Sequence, residues 1–177
     1  QKAWEATEKS NLPKFYLNLK SYKKSLLSNS NPYTPAVNLV FALDEALKMM
    51  KEEGLDNIFL RHNKHKLAMS NAAKALNLKL FANEKHLSPS ITAIETNGID
   101  AEEFRKIIKN KFDILLAGGQ DHLKGKIFRV GHLGYVNDRD IITVISAISN
   151  TLLSLGKITA EQAGQALVIA SKYLYSN

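Results

Sequence analysis

Between residues 78 and 130 the chain carries four short segments with strand-like patterning, at 78–81, 90–95, 114–117 and 126–130. One segment of helical period, 100–112, separates the second from the third. Strands this short are not stable in pairs and need a shared sheet with an apolar layer against one face. The runs before residue 78 and after residue 137 have helical period, so the order is helices, strand, strand, helix, strand, strand, helix, helix. Helices packed on one face of a small, mainly antiparallel sheet satisfy that order, which gives an α/β or α+β layer.

Local signals place the boundaries. Residues 3–10 look helical, and Asn11-Leu12-Pro13 stops them because proline disfavours the helical region in the residue before it. Residues 15–27 alternate aromatic, apolar and lysine residues at near-helical spacing, and the polar stretch 28–32 ends them. Thr34-Pro35 reads as an N-cap followed by proline in the first turn of a helix that lasts to Gly54. Its expected apolar stripe is Val37, Val40, Phe41, Leu43, Ala46, Leu47 and Met50. A second amphipathic helix spans about 56–76, with Ile58, Phe59, Leu67, Ala68, Ala72, Ala75 and Leu76 as expected buried positions. Asp100 should cap 101–112, Asp138 should open an isoleucine-rich helix reaching Gly156, and Thr159 with Gln162 forms a capping-box pattern for a last helix.

Zero cysteines exclude disulfides, thiolate zinc sites, iron–sulfur clusters and cysteine nucleophiles within the chain. No apolar run approaches the roughly 20 residues that cross a bilayer, and the opening QKAWEATEKS is not a signal peptide, so a cytoplasmic location is expected. The net charge of +7 is concentrated in residues 61–130, which hold 13 basic and 7 acidic side chains against 3 of each in 131–177. Lys64, Lys66, Lys74, Lys106, Lys109 and Lys111 fall on amphipathic helices, so a solvated face explains the excess better than a nucleic-acid surface. An aromatic-plus-basic ribonucleoprotein motif is also lacking.

Other motifs fail on spacing. Residues 119–126, GQDHLKGK, imitate a phosphate-binding loop, but five residues separate Gly119 from Gly125 and Ile127 stands where a hydroxyl must hold magnesium. His62 and His65 lie three apart on a helix without an evident third ligand, so an exposed structural pair is expected and no metal site. His122, His132 and Asp121 have no serine in a nucleophile-elbow context to serve.

Four blocks in order carry a family resemblance. NPYTPAVNLVFALDEAL (31–47) resembles the segment where a Thr-Pro element opens a helix of the large domain of class V, fold-type I pyridoxal-phosphate aminotransferases. LRHNKHKLAMSNAAKALNLKLF (60–81) is similar to that family's Arg-His helix and first small-domain strand, and SITAIETNGID (90–100) to its next strand and turn. ILLAGGQDHLKGKIFRVGHLG (114–134) resembles its Gly-Gly turn, Lys-Gly-Lys approach and Arg-x-Gly-x-x-Gly strand end. The resemblance spans about 2–155 and is nearest to the alanine–glyoxylate and serine–pyruvate branch, which includes members labelled as a soluble hydrogenase tritium-exchange subunit. A nickel or iron hydrogenase centre would need thiolates that this chain does not have.

The resemblance implies a partition into a large-domain remnant and connecting helix (1–55), a C-terminal small domain (56–156) and a helical extension (157–177). It implies a homodimeric enzyme that uses pyridoxal phosphate to move an amino group between alanine, serine or glycine and glyoxylate or pyruvate. AWEATEKS resembles the helix that follows the family's Pro-Pro-Gly-Leu segment, so the Schiff-base lysine is expected before residue 1, Lys2 is not that residue, and the fragment alone should be inactive and bind no cofactor. By family position Arg129 grips the substrate carboxylate, while a strand arginine paired with Asp113 or Asp121 is the plainer alternative. Thr34 corresponds to a threonine at the cofactor phosphate of the neighbouring subunit; relatives carry a tyrosine where this chain has Asn31, so no contact is assigned to Asn31 or Tyr33. Gly118 and Gly119 fit a tight turn near the substrate or a purely structural one. The rival to an enzyme is a non-catalytic dimerisation or protein-docking module.

Overall fold

The computed structural model describes residues 1–175 and divides into two compact units, Gln1–Glu52 and the residues from Glu53 onward. The first unit holds α1 (Lys2–Lys9), α2 (Leu19–Leu26) and nearly all of α3 (Val37–Glu53). Phe15 to Leu17 form a turn and not a helix, because Asn18 is extended and its side chain accepts the Lys20 amide to cap α2. The rings of Phe15, Tyr16 and Tyr22 gather around Tyr33, whose hydroxyl donates to the Phe15 carbonyl at 2.7 Å. α3 starts later than its sequence suggested: the Val37 amide turns back onto the Pro35 carbonyl, and the Ala36 carbonyl accepts from Leu39 and Val40. Thr34 therefore stands outside the helix and does not cap it. The expected apolar stripe of α3 is also not buried, and none of its residues is.

The second unit contains α4 (Leu55–Ala75), β1 (Lys79–Leu80), β2 (Ile91–Glu95), α5 (Ala101–Phe112), β3 (Ala117–Gly118), β4 (Ile127–Gly131), α6 (Asp138–Ser154) and α7 (Ala160–Tyr175). The strands lie in the order β1-β2-β4-β3, and every pairing is antiparallel. The expected small antiparallel sheet with helices on one face is the fold observed. Ile94, Phe128 and Val130 on that face are buried against Met69, Ala72 and Ala73 of α4, Phe104 and Ile108 of α5, and Ile141, Ile145 and Ile148 of α6. α7 joins the same core through Ala166, Ala170 and Leu174. The Phe104 and Phe128 rings pack 5.1 Å apart, fastening α5 to the sheet.

Capping follows the sequence signals with one change. Asp100 accepts the amides of Glu102 and Glu103, and Thr159 and Gln162 exchange the bonds of a capping box. α6 is capped by Asn137, which forms a reciprocal box with Asp140, so Asp138 is the first helical residue and not the cap. The third strand is shorter than expected: only Ala117 and Gly118 pair, and Leu115 is exposed. On α4 Phe59 is exposed although its spacing suggested burial. No helix among the described residues is long and apolar enough to cross a membrane.

Candidate functional site

Alternation along β4 decides where Arg129 points. Phe128 and Val130 face the helices, so the residue between them faces away from the core, beside Ala93 of β2 and Ala117 of β3, its partners in the antiparallel register. Both neighbours are small and leave the sheet surface around the guanidinium low. Arg129 donates from Nε to the Gly118 carbonyl at 2.9 Å, and among the described residues its two terminal nitrogens have no hydrogen-bond or ion-pair partner. The plainer alternative, an ion pair with Asp113 or Asp121, is not formed. A cleft of 660 Å³ lies elsewhere, walled by Arg61, Lys64, Asp138 and Arg139 among others, and Arg129 is not part of it.

The Gly-Gly turn has a structural cause on both residues. A Cβ on Gly118 would lie 2.5 Å from Arg105 Nη1 and 2.6 Å from Glu102 Oε1, and one on Gly119 would strike the Leu123 carbonyl. Close approach, not a positive φ, is what excludes a side chain at either position.

Beyond β4, residues 132–137 are held by α4. Arg61 pairs with the Glu53 carboxylate through Nε and Nη2, and its Nη1 donates to the carbonyls of Gly134 and Val136 at 2.9 and 2.8 Å. The Arg61 hydrogen bond lowers the pKa of Glu53. His62 Nδ1 donates to the Ile58 carbonyl and its Nε2 accepts the Gly134 amide, which defines one neutral tautomer. His65 donates from Nε2 to Asp138 at 2.8 Å, and burial lowers its pKa against the opposing pull of that carboxylate. His132 donates from Nδ1 to the Pro89 carbonyl and accepts the Thr92 hydroxyl at Nε2; burial pushes its pKa down to about 4.

His62 and His65 are thus buried, not the exposed pair the sequence suggested, because each ring finds polar partners inside the fold. No group of three or more His, Cys, Asp or Glu suited to a metal ion occurs among the described residues. Sequence reasoning passed over Arg61, Glu53, Arg105 and Glu102. The spacing of Glu102 and Arg105, i to i+3 on a helix, was the one available sign.

Thr34 belongs to the other unit. It is exposed, and its hydroxyl makes no hydrogen bond among the described residues; it lies three residues before the 17-residue helix α3.

Comparison with known proteins places this geometry. No family model matches the chain. It is 54% identical over 155 residues to the soluble hydrogenase 42 kDa subunit of Anabaena cylindrica, covering 88% of this chain and 40% of that protein. It is 32% identical to the serine–glyoxylate aminotransferase of Methylorubrum extorquens, covering 100% of this chain and 45% of that one. Among solved structures, the ureidoglycine–glyoxylate aminotransferase of Bacillus subtilis superposes with a TM-score of 0.83 at 29% identity, over 94% of this chain and 44% of that one. The chain therefore spans less than half the length of these relatives. By sequence and by fold, the homologues and structural neighbours of this chain are class V aminotransferases of the alanine–glyoxylate and serine–glyoxylate group, matched in the C-terminal part of their length.

Proposed function

We propose that this chain is the C-terminal half of an aminotransferase that exchanges an amino group between a small amino acid and a 2-oxo acid such as glyoxylate, and that Arg129 binds the substrate carboxylate. The observation that carries the reading is the state of Arg129, tied by Nε alone, with both terminal nitrogens without protein partners on a sheet face kept low by Ala93 and Ala117. A planar, permanently charged fork presented in that way suits a carboxylate, which takes two parallel hydrogen bonds. Residues of the first unit would belong to the large domain and its connecting helix, with the second unit as the small domain.

Pyridoxal phosphate, when bound, would supply the electron sink for bond breaking at the substrate α-carbon. The residues present fit part of its site. Thr34 offers an uncommitted hydroxyl just ahead of a helix N-terminus, a setting that suits a phosphate. The lysine that anchors the cofactor and the walls that read the substrate side chain would lie in the remainder of a protein about twice this length. On this reading Thr34 acts across a homodimer interface, and the active site requires both subunits.

The test is steady-state kinetics on the full-length protein. Arg129→Ala should raise the amino-donor KM about 100-fold, the loss of a charge-assisted bidentate pair. Cofactor absorbance should be unchanged. Arg129→Lys should recover part of the loss, since a point charge cannot reproduce the fork. An unaltered KM in Arg129→Ala rules out the assignment.

A further inference from the structure

β3 is two residues long and forms an edge of the sheet, with β4 its one neighbour. A strand so short has little of its own to hold it in place, yet its Gly118 carbonyl is the acceptor that orients Arg129. What holds it lies behind. Arg105 of α5 donates from Nε to the Leu116 carbonyl at 2.8 Å, and its Nη1 pairs with Glu102 Oε2 at 2.8 Å. The same guanidinium lies against Gly118, where a Cβ would come within 2.5 Å of Nη1. Gly118 is therefore sandwiched, with the Arg105–Glu102 pair on one side and Arg129 Nε on its carbonyl. Two arginines from different elements grip carbonyls two residues apart, and each bond sets where the other can be made.

We propose that Arg105, held by Glu102, is a positioning residue that fixes the orientation of Arg129 through residues 116–118. The proposal rests on the reading of Arg129 as the carboxylate anchor for its catalytic meaning, although the positioning itself does not. Arg105 does not touch the substrate. Its bond to Leu116 and its packing against Gly118 keep the Gly118 carbonyl where it locks Arg129 Nε, so that the terminal nitrogens face outward in one arrangement instead of several. Preorganisation of this kind lowers the entropy lost when a ligand is gripped. It also explains why glycine stands at 118: any side chain there would displace the Arg105 guanidinium.

The experiment has two arms. In the full chain labelled with nitrogen-15 at arginine, the Arg129 Nε–H resonance is assigned as the one lost in Arg129→Lys. In Arg105→Gln it should shift, and its hydrogen exchange should speed up about tenfold, the loss of one well-made hydrogen bond. Arg105→Lys keeps the charge beside Glu102 but has no Nε–H, and should move the same resonance by less. In the full-length enzyme Arg105→Gln should raise the amino-donor KM about tenfold. Its kcat should change by less than about twofold, and the variant should add nothing to KM in an Arg129→Lys background. A purely structural role would move stability without this KM split or this dependence on Arg129. An Arg129 Nε–H that is unmoved in whichever of the two variants folds overturns the proposal. A moved resonance with an unaltered KM sustains the positioning and overturns Arg129 as the carboxylate anchor.

Discussion

The two units of this chain are built from the same kind of helix and meet opposite fates. α3 carries Val37, Leu39, Val40, Phe41, Leu43 and Leu47, all exposed, and no residue of the first unit is buried. α4 is less apolar overall, yet it buries Ile58, Ala68, Met69, Ala72 and Ala73 together with two histidines. Apolar content therefore does not decide burial here. What decides it is a partner: α4 has a sheet, α6 and α7 against it, and small residues on the facing side let them approach.

That contrast can be broken at its strongest point first. Phe128→Ala removes a fully buried ring that packs on Phe104 and should cost about 4 kcal/mol in urea unfolding followed by far-UV circular dichroism. Trp4, the single tryptophan, lies in the first unit, so its fluorescence should be nearly blind to this change. A fluorescence transition that moves with the dichroism would show the units to be one cooperative body, and the comparison would fail.

The next effect is on pH. The folded pKa of His132 is about 4, below its ordinary 6.5, so the unfolded chain takes up the proton first. The stabilisation is complete above about pH 6.5 and drains away as pH falls toward 4, by about 3 kcal/mol in all. His65 is shifted in the same direction. Urea midpoints of the second unit at pH 7.5, 5.5 and 4.5 should fall in that order; a flat series refutes the neutral buried state of these rings.

Smaller still is the cap. Asn137→Ala breaks the reciprocal box at the start of α6 and should cost about 1 kcal/mol by the same urea assay. Smallest is Leu43→Ala on exposed α3, expected to change the stability of this chain by less than about 0.5 kcal/mol. A loss at Leu43 comparable to that at Phe128 would mean that α3 is covered in solution, and thermal unfolding at several protein concentrations would reveal whether by a second copy.

The order of elements was legible because periodicity survives without knowledge of partners. Asp100, Thr159 and Gln162 announced their helix ends through local chemistry, and the structure uses each of them. Arg129 was legible through its motif, and the alternation of β4 then shows which face it takes. The misses share a cause. Phe59, His62 and His65 all sit on α4, where period alone cannot tell which ring meets a carbonyl seventy residues away. Thr34 looked like a cap because Thr-Pro usually opens a helix, whereas the Val37 amide prefers the Pro35 carbonyl. Glu102 and Arg105 were hidden because their partners are backbone atoms of another element.

α3 has one more implication, which comes from angle. At 100° per residue, positions 37, 39, 40, 41, 43, 47, 49 and 50 are distributed around the whole circumference of the helix instead of along one side. A rod coated in this way is an axle and not a rim. A single flat surface could shade only part of it, so whatever shelters α3 must wrap it from several directions at once.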